Sequence, residues 1–252
     1  MISESFVKEY ASKNQIDPFS ALREYLQIVF LNALYESEEA LKVDFKGGTC
    51  LRIMYNSPRF SEDLDFNCSL SKPVLGNLIE SAVLRASKDV PGVYLRNIES
   101  LAGISKKIYL KTPLAPMPLT IKLDFSFGEK SLRVLQKTIA TELPVQSYSI
   151  VRVISKEEIL AEKIRTIFQR TKGRDIYDIW YLLNSRILID KDLVNEKLKM
   201  IGKKFDLEEF TDKVASLDKT QIEKDLIKFL PRNQRAVVGK LQELTPGLVN
   251  IL

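Results

Sequence analysis

Residues 46–66, KGGTCLRIMYNSPRFSEDLDF, constrain this chain more than any other stretch. The pair Gly47 and Gly48 permits a tight backbone turn, and Thr49 through Tyr55 then reads as a helix. Asn56, Ser57 and Pro58 end it, because proline disfavours helical backbone in the residue before it. Asp63, Leu64, Asp65 and Phe66 follow in strict alternation of acid and apolar residue, the mark of a strand with one buried face. With Val43, Asp44 and Phe45 as a short strand upstream, the order is strand, glycine turn, helix, loop, acidic strand.

The chemistry of that order is specific. A helix that opens on glycines presents free N–H groups to a phosphate. Asp63 and Asp65, two apart in a strand, point the same way and form an oxygen-only site for a hard cation such as Mg²⁺ or Mn²⁺. Together they suit a nucleoside triphosphate (NTP) and its metal ions. Plainer readings exist: most Gly-Gly pairs are only turns, and alternating acids usually line a solvated strand face. Against the second, Leu64 and Phe66 anchor the strand in a core while its acids crowd one side, and crowded carboxylates call for a cation between them.

Composition removes competing chemistries. The 252 residues contain no histidine, which excludes imidazole as general base, metal ligand or triad member. Catalysis must run on carboxylates, lysine, hydroxyls or bound metal. The two cysteines, Cys50 and Cys68, give no disulfide framework and read as small buried residues. A net charge of +5 permits a polyanionic partner. No apolar run approaches the roughly 20 residues of a membrane span, and the N-terminus lacks a signal-peptide core, so a cytoplasmic protein without membrane partners is expected.

Helices are expected over 2–12 and 18–41, the second opened by Asp17-Pro18, and over 73–90, closed by Pro91-Gly92. Strands are expected at 93–99, 104–110 and 118–127. The last has the cleanest period of two: Leu119, Ile121, Leu123, Phe125 and Phe127 on one face, Thr120, Lys122, Asp124 and Ser126 on the other. If this strand pairs beside the acidic one, Asp124 is a third carboxylate of a metal cluster; if not, Lys122 and Asp124 are ordinary surface. From Ser155 the pattern is helical throughout, over 156–170, 174–185, 190–202, 206–216, 219–230 and 232–243. An α+β fold follows, with a mixed-sheet domain over 1–154, a helical domain over 155–252 and a cleft between them.

In the helical half, Lys163 lies four residues from both Ile159 and Ile167, at the margin of the apolar stripe. It is either a snorkelling lysine that covers the core or an ammonium that reaches a triphosphate. On the next helix the apolar set Ile176, Ile179, Trp180 and Leu183 puts Asp175 at the margin and Asp178 nearer solvent, within reach of Arg174. An acid in a first helical turn also suits the macrodipole alone.

Two blocks together, K-G-G-T-x-L-R-x-x-Y-N-S-x-R-F-S-E-D-L-D-F at 46–66 and E-x-L-A-E-K-I-R-T-I-x-x-R-x-K-G-R-D-I-Y-D-I-W-Y-L-L at 158–183, resemble the AbiEii/MenT-like nucleotidyltransferase toxins of type IV abortive-infection systems. The resemblance covers about 40 to 185. It implies a polymerase-β-like nucleotidyltransferase core in which Gly47 and Gly48 hold the triphosphate and Asp63 and Asp65 bind Mg²⁺. It further implies Lys163 and Asp175 as catalytic residues, a nucleotide monophosphate moved from an NTP to an acceptor hydroxyl, often the 3′ end of tRNA, and a separate antitoxin. Thr49 replaces the serine of the minimal signature, and the gap to the acids is longer than usual. That insertion, Tyr55 to Ser61, is typical of the toxin branch and offers Arg59 and Ser61 to the triphosphate. Two alternatives remain: a small-molecule nucleotidyltransferase of the antibiotic-modifying type, and a catalytically silent binding module of the same fold.

Overall fold

The computed structural model describes residues 2–98, 104–115, 117–146, 148–170 and 172–249. The chain divides into two compact units, Met1–Ile154 and Ser155–Leu252. The first opens with α1 (Glu4–Lys13) and α2 (Pro18–Tyr35). Asp17 caps α2, its carboxylate accepting from the Ser20 N–H at 2.9 Å, and Pro18 supplies a helical φ where no N–H is needed. The helix expected to reach residue 41 stops at Tyr35, and a 3₁₀ turn over Glu38–Lys42 leads into the sheet.

β1 (Val43–Lys46), α3 (Gly47–Tyr55), β2 (Leu64–Cys68) and α4 (Lys72–Asp89) follow, then β3 (Val93–Ile98), β4 (Ile104–Leu110), β5 (Leu119–Ser126), β6 (Val134–Thr138) and β7 (Ile150–Ile154). Among the described residues these strands form one seven-stranded sheet of order β3-β4-β5-β2-β1-β7-β6. It is mixed: β2 pairs parallel with β5 and β1 parallel with β7, and the other neighbours are antiparallel. The strand expected at 93–99 is seen to Ile98, Glu99 lying outside the described residues. β6 and β7 were not anticipated from sequence.

One face of the sheet is apolar. Phe66 lies between Phe45 and Phe125, with ring centroids 5.4 and 4.7 Å away, and Leu64, Ile121 and Leu123 are fully buried beside them. Each such side chain stabilises the fold by about 1.5–3 kcal/mol relative to exposure. α2 packs on α4 and on the sheet at β5 and β7, and Tyr35 ties it down by donating to the carbonyls of Val43 and Arg152. The opposite face therefore carries the polar residues of β1, β2, β4 and β5.

The second unit is helical: α5 (Lys156–Gln169), α6 (Gly173–Asn184), α7 (Lys191–Lys199), α8 (Leu207–Ala215), α9 (Lys219–Leu226) and α10 (Leu241–Gly247), with 3₁₀ segments at Ile227–Phe229 and Arg232–Lys240. The helix expected over 232–243 is thus mostly 3₁₀. α6 packs against α5, α9 and α10. Gly173 permits the closest approach, since a Cβ there would stand 2.6 Å from the Ile222 carbonyl oxygen. Lys197 joins α7 to α5 through buried ion pairs with Glu158 at 2.6 Å and Glu162 at 3.1 Å. Among the described residues no helix is long and apolar enough to cross a membrane.

Candidate active site

Lys46 ends β1 in extended conformation, and Gly47 turns the chain at φ +78°, a left-handed value that other residues adopt at a cost. α3 begins there, so the N–H groups of Gly47, Gly48 and Thr49 have no partner within the helix. The glycines are also required by what lies over them. A Cβ on Gly47 would collide with Asp65 Oδ2, and one on Gly48 would collide with Arg59 Nη2 and stand 3.2 Å from Ser61 Oγ. The turn, the second acid of the pair and two residues of the 55–61 insertion thus converge on one point.

The insertion is held rigidly. Asn56 caps α3 in the left-handed region, φ 59°. Arg52 donates to the Ser57 carbonyl, pairs with Glu24 at 2.6 Å and stacks over the Phe60 ring at 3.9 Å. Gln27 on α2 donates to the carbonyls of Ser61 and Glu62 at 3.0 and 3.1 Å. Arg59 is buried and gives one N–H to the Phe60 carbonyl at 3.0 Å. Thr49 is buried too, and its hydroxyl donates to the Asp63 carbonyl, which leaves its backbone N–H as the group it can present to a ligand.

The strand register resolves the alternative left open for Asp124. β5 lies beside β2 with Asp124 directly opposite Asp65, and Lys46 is opposite Asp65 on the other side. Asp124 is already engaged: Ser105 on β4 donates to Oδ1, and Lys122 pairs with Oδ2 at 2.7 Å. Burial acts to lower the Lys122 pKa, but the hydrogen bond and charge of Asp124, with the fields of Asp63 and Asp65, hold it above the usual lysine value. All three carboxylates therefore act on one cation. The condition set for Asp124 is thus met in strand pairing, although among the described residues no group of three potential metal ligands is found.

Further along the same face, Asn67 stands two residues beyond Asp65, buried, its Oδ1 without a partner. Arg152 pairs with Asp44 at 2.8 Å, and Lys46 with Glu129 at 2.9 Å. Asp44, Asn67, Glu129 and Arg152, with Ser131, line a groove of about 400 Å³. Sequence reading did not single them out, although the strand period puts Asp44, Lys46 and Asn67 on the acidic face.

In the helical unit Lys163 is neither a snorkelling side chain nor a free ammonium. It pairs with Asp175 Oδ1 at 2.8 Å and Asp178 Oδ2 at 2.7 Å, and Arg170 reaches Asp175 Oδ2 at 2.9 Å. Burial acts to raise the Asp175 pKa, but the Lys163 charge and the Arg170 hydrogen bond outweigh it and hold the carboxyl well below its ordinary value. Asp178, expected nearer solvent, is fully buried. α6 is covered on several sides by α5, α9 and α10, so its inner arc is wider than one apolar stripe, and Lys163 draws both acids inward.

The mixed sheet thus carries a glycine turn beside an acidic strand, and a helical unit follows it in the chain. The sequence matches the family model "Nucleotidyl transferase AbiEii toxin, Type IV TA system" over residues 29–241, and the chain belongs to that family. Its members are enzymes that transfer nucleotides from NTPs, which implies an NTP substrate and an antitoxin partner. Among solved structures, the fold is similar to MenT4, a nucleotidyltransferase toxin from Mycobacterium tuberculosis H37Rv, at 20% identity and a TM-score of 0.67 over 98% of this chain and 90% of that one. It is also similar to JHP933 from Helicobacter pylori, at 20% identity and a TM-score of 0.53 over 92% and 94% of the two chains. No curated protein matches the chain in sequence.

Proposed function

We propose that the chain is a divalent-metal-dependent toxin that transfers a nucleoside monophosphate from an NTP to the 3′ hydroxyl of an RNA, tRNA being the first acceptor to test. The reading is carried by one observation: the Gly47-Gly48 turn is packed against Asp65, Arg59 and Ser61. A helix N-terminus that opens on glycines is a ready site for an anion, and the Arg59 guanidinium packed over Gly48 is a donor whose fork suits phosphate oxygens.

Asp63 and Asp65 hold Mg²⁺ or Mn²⁺ in this reading. The donor set fits, being all oxygen, with Asp124 paired directly beside Asp65 on the neighbouring strand. When bound, the ion offsets phosphate charge in the displacement. The N–H groups of Gly48 and Thr49, with Arg59 and Ser61, orient the triphosphate so that the acceptor oxygen attacks the α-phosphate in line. The new bond is acceptor O–Pα; the bond to the β-phosphate oxygen breaks, releasing pyrophosphate and the acceptor's proton. In the helical domain over 155–252 the proposed catalytic residues are Lys163 and Asp175, the aspartate fixing the orientation of the lysine. Rate enhancement comes from positioning and fixed charge rather than covalent catalysis.

Incubation of the protein with total RNA and each α-³²P NTP in turn tests this. One NTP should label an RNA band, chelation of divalent metal should abolish it, and Arg59→Ala should raise the KM for that NTP roughly 10-fold or more, as expected on losing a charge-assisted hydrogen bond. Label in a small soluble product instead would identify an antibiotic-type enzyme, and no label with any NTP would leave the silent binding module.

A further inference from the structure

The polar face that carries Asp65 does not end at Asp124. Across β5, β4 and β3 the register makes three rows. The first is Ser105, Asp124, Asp65 and Lys46. One step along lie Arg96, Lys107 and Lys122 directly opposite one another, and one step further Tyr94, Tyr109 and Thr120. The two tyrosine rings stack at 5.2 Å with 14° between planes; Arg96 sits over both at 5.6 and 5.2 Å and Lys111 over Tyr94 at 5.9 Å. The tyrosines and Lys107 are half-buried, and Arg96 and Lys111 are exposed.

Folding alone does not favour this arrangement. Like charges directly opposite in a sheet are destabilising. Arg96 on an edge strand could be explained by protection against aggregation, but Lys107 and Lys122 are on inner strands where no edge needs guarding. Lys122 has Asp124, whereas Lys107 has no carboxylate partner among the described residues. Cations interleaved with aromatic rings on an open sheet match the chemistry of single-stranded nucleic acid, whose phosphates seek the cations and whose bases stack on the rings.

We propose that the β3–β4–β5 face, through Tyr94, Arg96, Lys107 and Tyr109, binds the single-stranded end of the acceptor RNA and leads it to the acids. This rests on the RNA-acceptor reading above. Three strand spacings separate β2 from β3, about 14–15 Å at 4.7–4.9 Å each. That distance accommodates about four stacked nucleotides at roughly 3.4 Å each.

The test needs neither NTP nor metal, so its failure is separate from failure of the transfer reaction. A short fluorescein-labelled single-stranded oligoribonucleotide is titrated with the full chain and followed by anisotropy at several salt concentrations. Wild type should bind with strong salt dependence. Tyr94→Ala with Tyr109→Ala should weaken binding roughly 10-fold or more, and Tyr94→Phe with Tyr109→Phe, which keeps the rings, should retain it. Arg96→Glu with Lys107→Glu should lower the slope of log affinity against log salt by about 0.7 for each phosphate that is no longer neutralised. Arg96 is exposed and Lys107 lies on the same polar face, so this pair, checked by its own melting curve, decides the matter if the alanine pair unfolds the sheet. No binding by wild type, undiminished binding by the charge-reversal pair, or equal competition by duplex RNA would overturn the proposal.

Discussion

At Gly48 the space for a side chain is already taken by the Arg59 guanidinium. Gly48→Ala should therefore fold but displace Arg59, raising the KM for NTP with little change in melting temperature; unchanged kinetics would separate the turn from the triphosphate. Asp175 allows a prediction with a pH sign. Its folded pKa is depressed, so the stability it supplies is complete above the unfolded value near 3.9 and is lost as pH falls through the lower folded value. Asp175→Asn should flatten that acid limb in urea melts. At neutral pH it should destabilise the helical unit by up to about 3 kcal/mol, less than the full loss of a buried pair because Asp178 still holds Lys163.

The strand β2 shows how local pattern and long-range pairing divide the information. The alternation of Asp63, Leu64, Asp65 and Phe66 announced a strand with one acidic face, and the glycines announced the turn before it. The neighbour of β2 could not be read, because pairing with β5 joins residues about sixty positions apart and depends on how the whole sheet closes. β6 escaped notice because its edge position leaves Leu135, Gln136 and Thr138 exposed or nearly so, without alternation. β7 carried a usable signal in Ile150, Val151, Val153 and Ile154, a β-branched run. On α6 a one-stripe reading misplaced Asp178, since packing on more than one side buries polar positions that a surface helix would expose. The anchoring role of β2 is open to measurement: Phe66→Ala should lower unfolding free energy by about 3–5 kcal/mol in denaturant titration. A loss under about 1 kcal/mol would mean that the three-phenylalanine stack does not fix the acidic strand.

For the molecule as a whole, one sheet face supplies the glycine turn, the acids and a basic aromatic surface, and the helical unit supplies a lysine locked between two aspartates. Membership of a toxin family joins this apparatus to an antitoxin. Induced expression of the wild-type chain without that antitoxin should stop growth of a bacterial host, and Asp65→Asn should not. Transfer itself is the most direct test. With total RNA, Mg²⁺ and the preferred α-³²P NTP, the wild-type protein should place label on RNA 3′ ends, and Asp65→Asn should lower the rate at least about 10³-fold, as expected for loss of a metal-holding carboxylate. Labelling by Asp65→Asn at the wild-type rate would contradict the account.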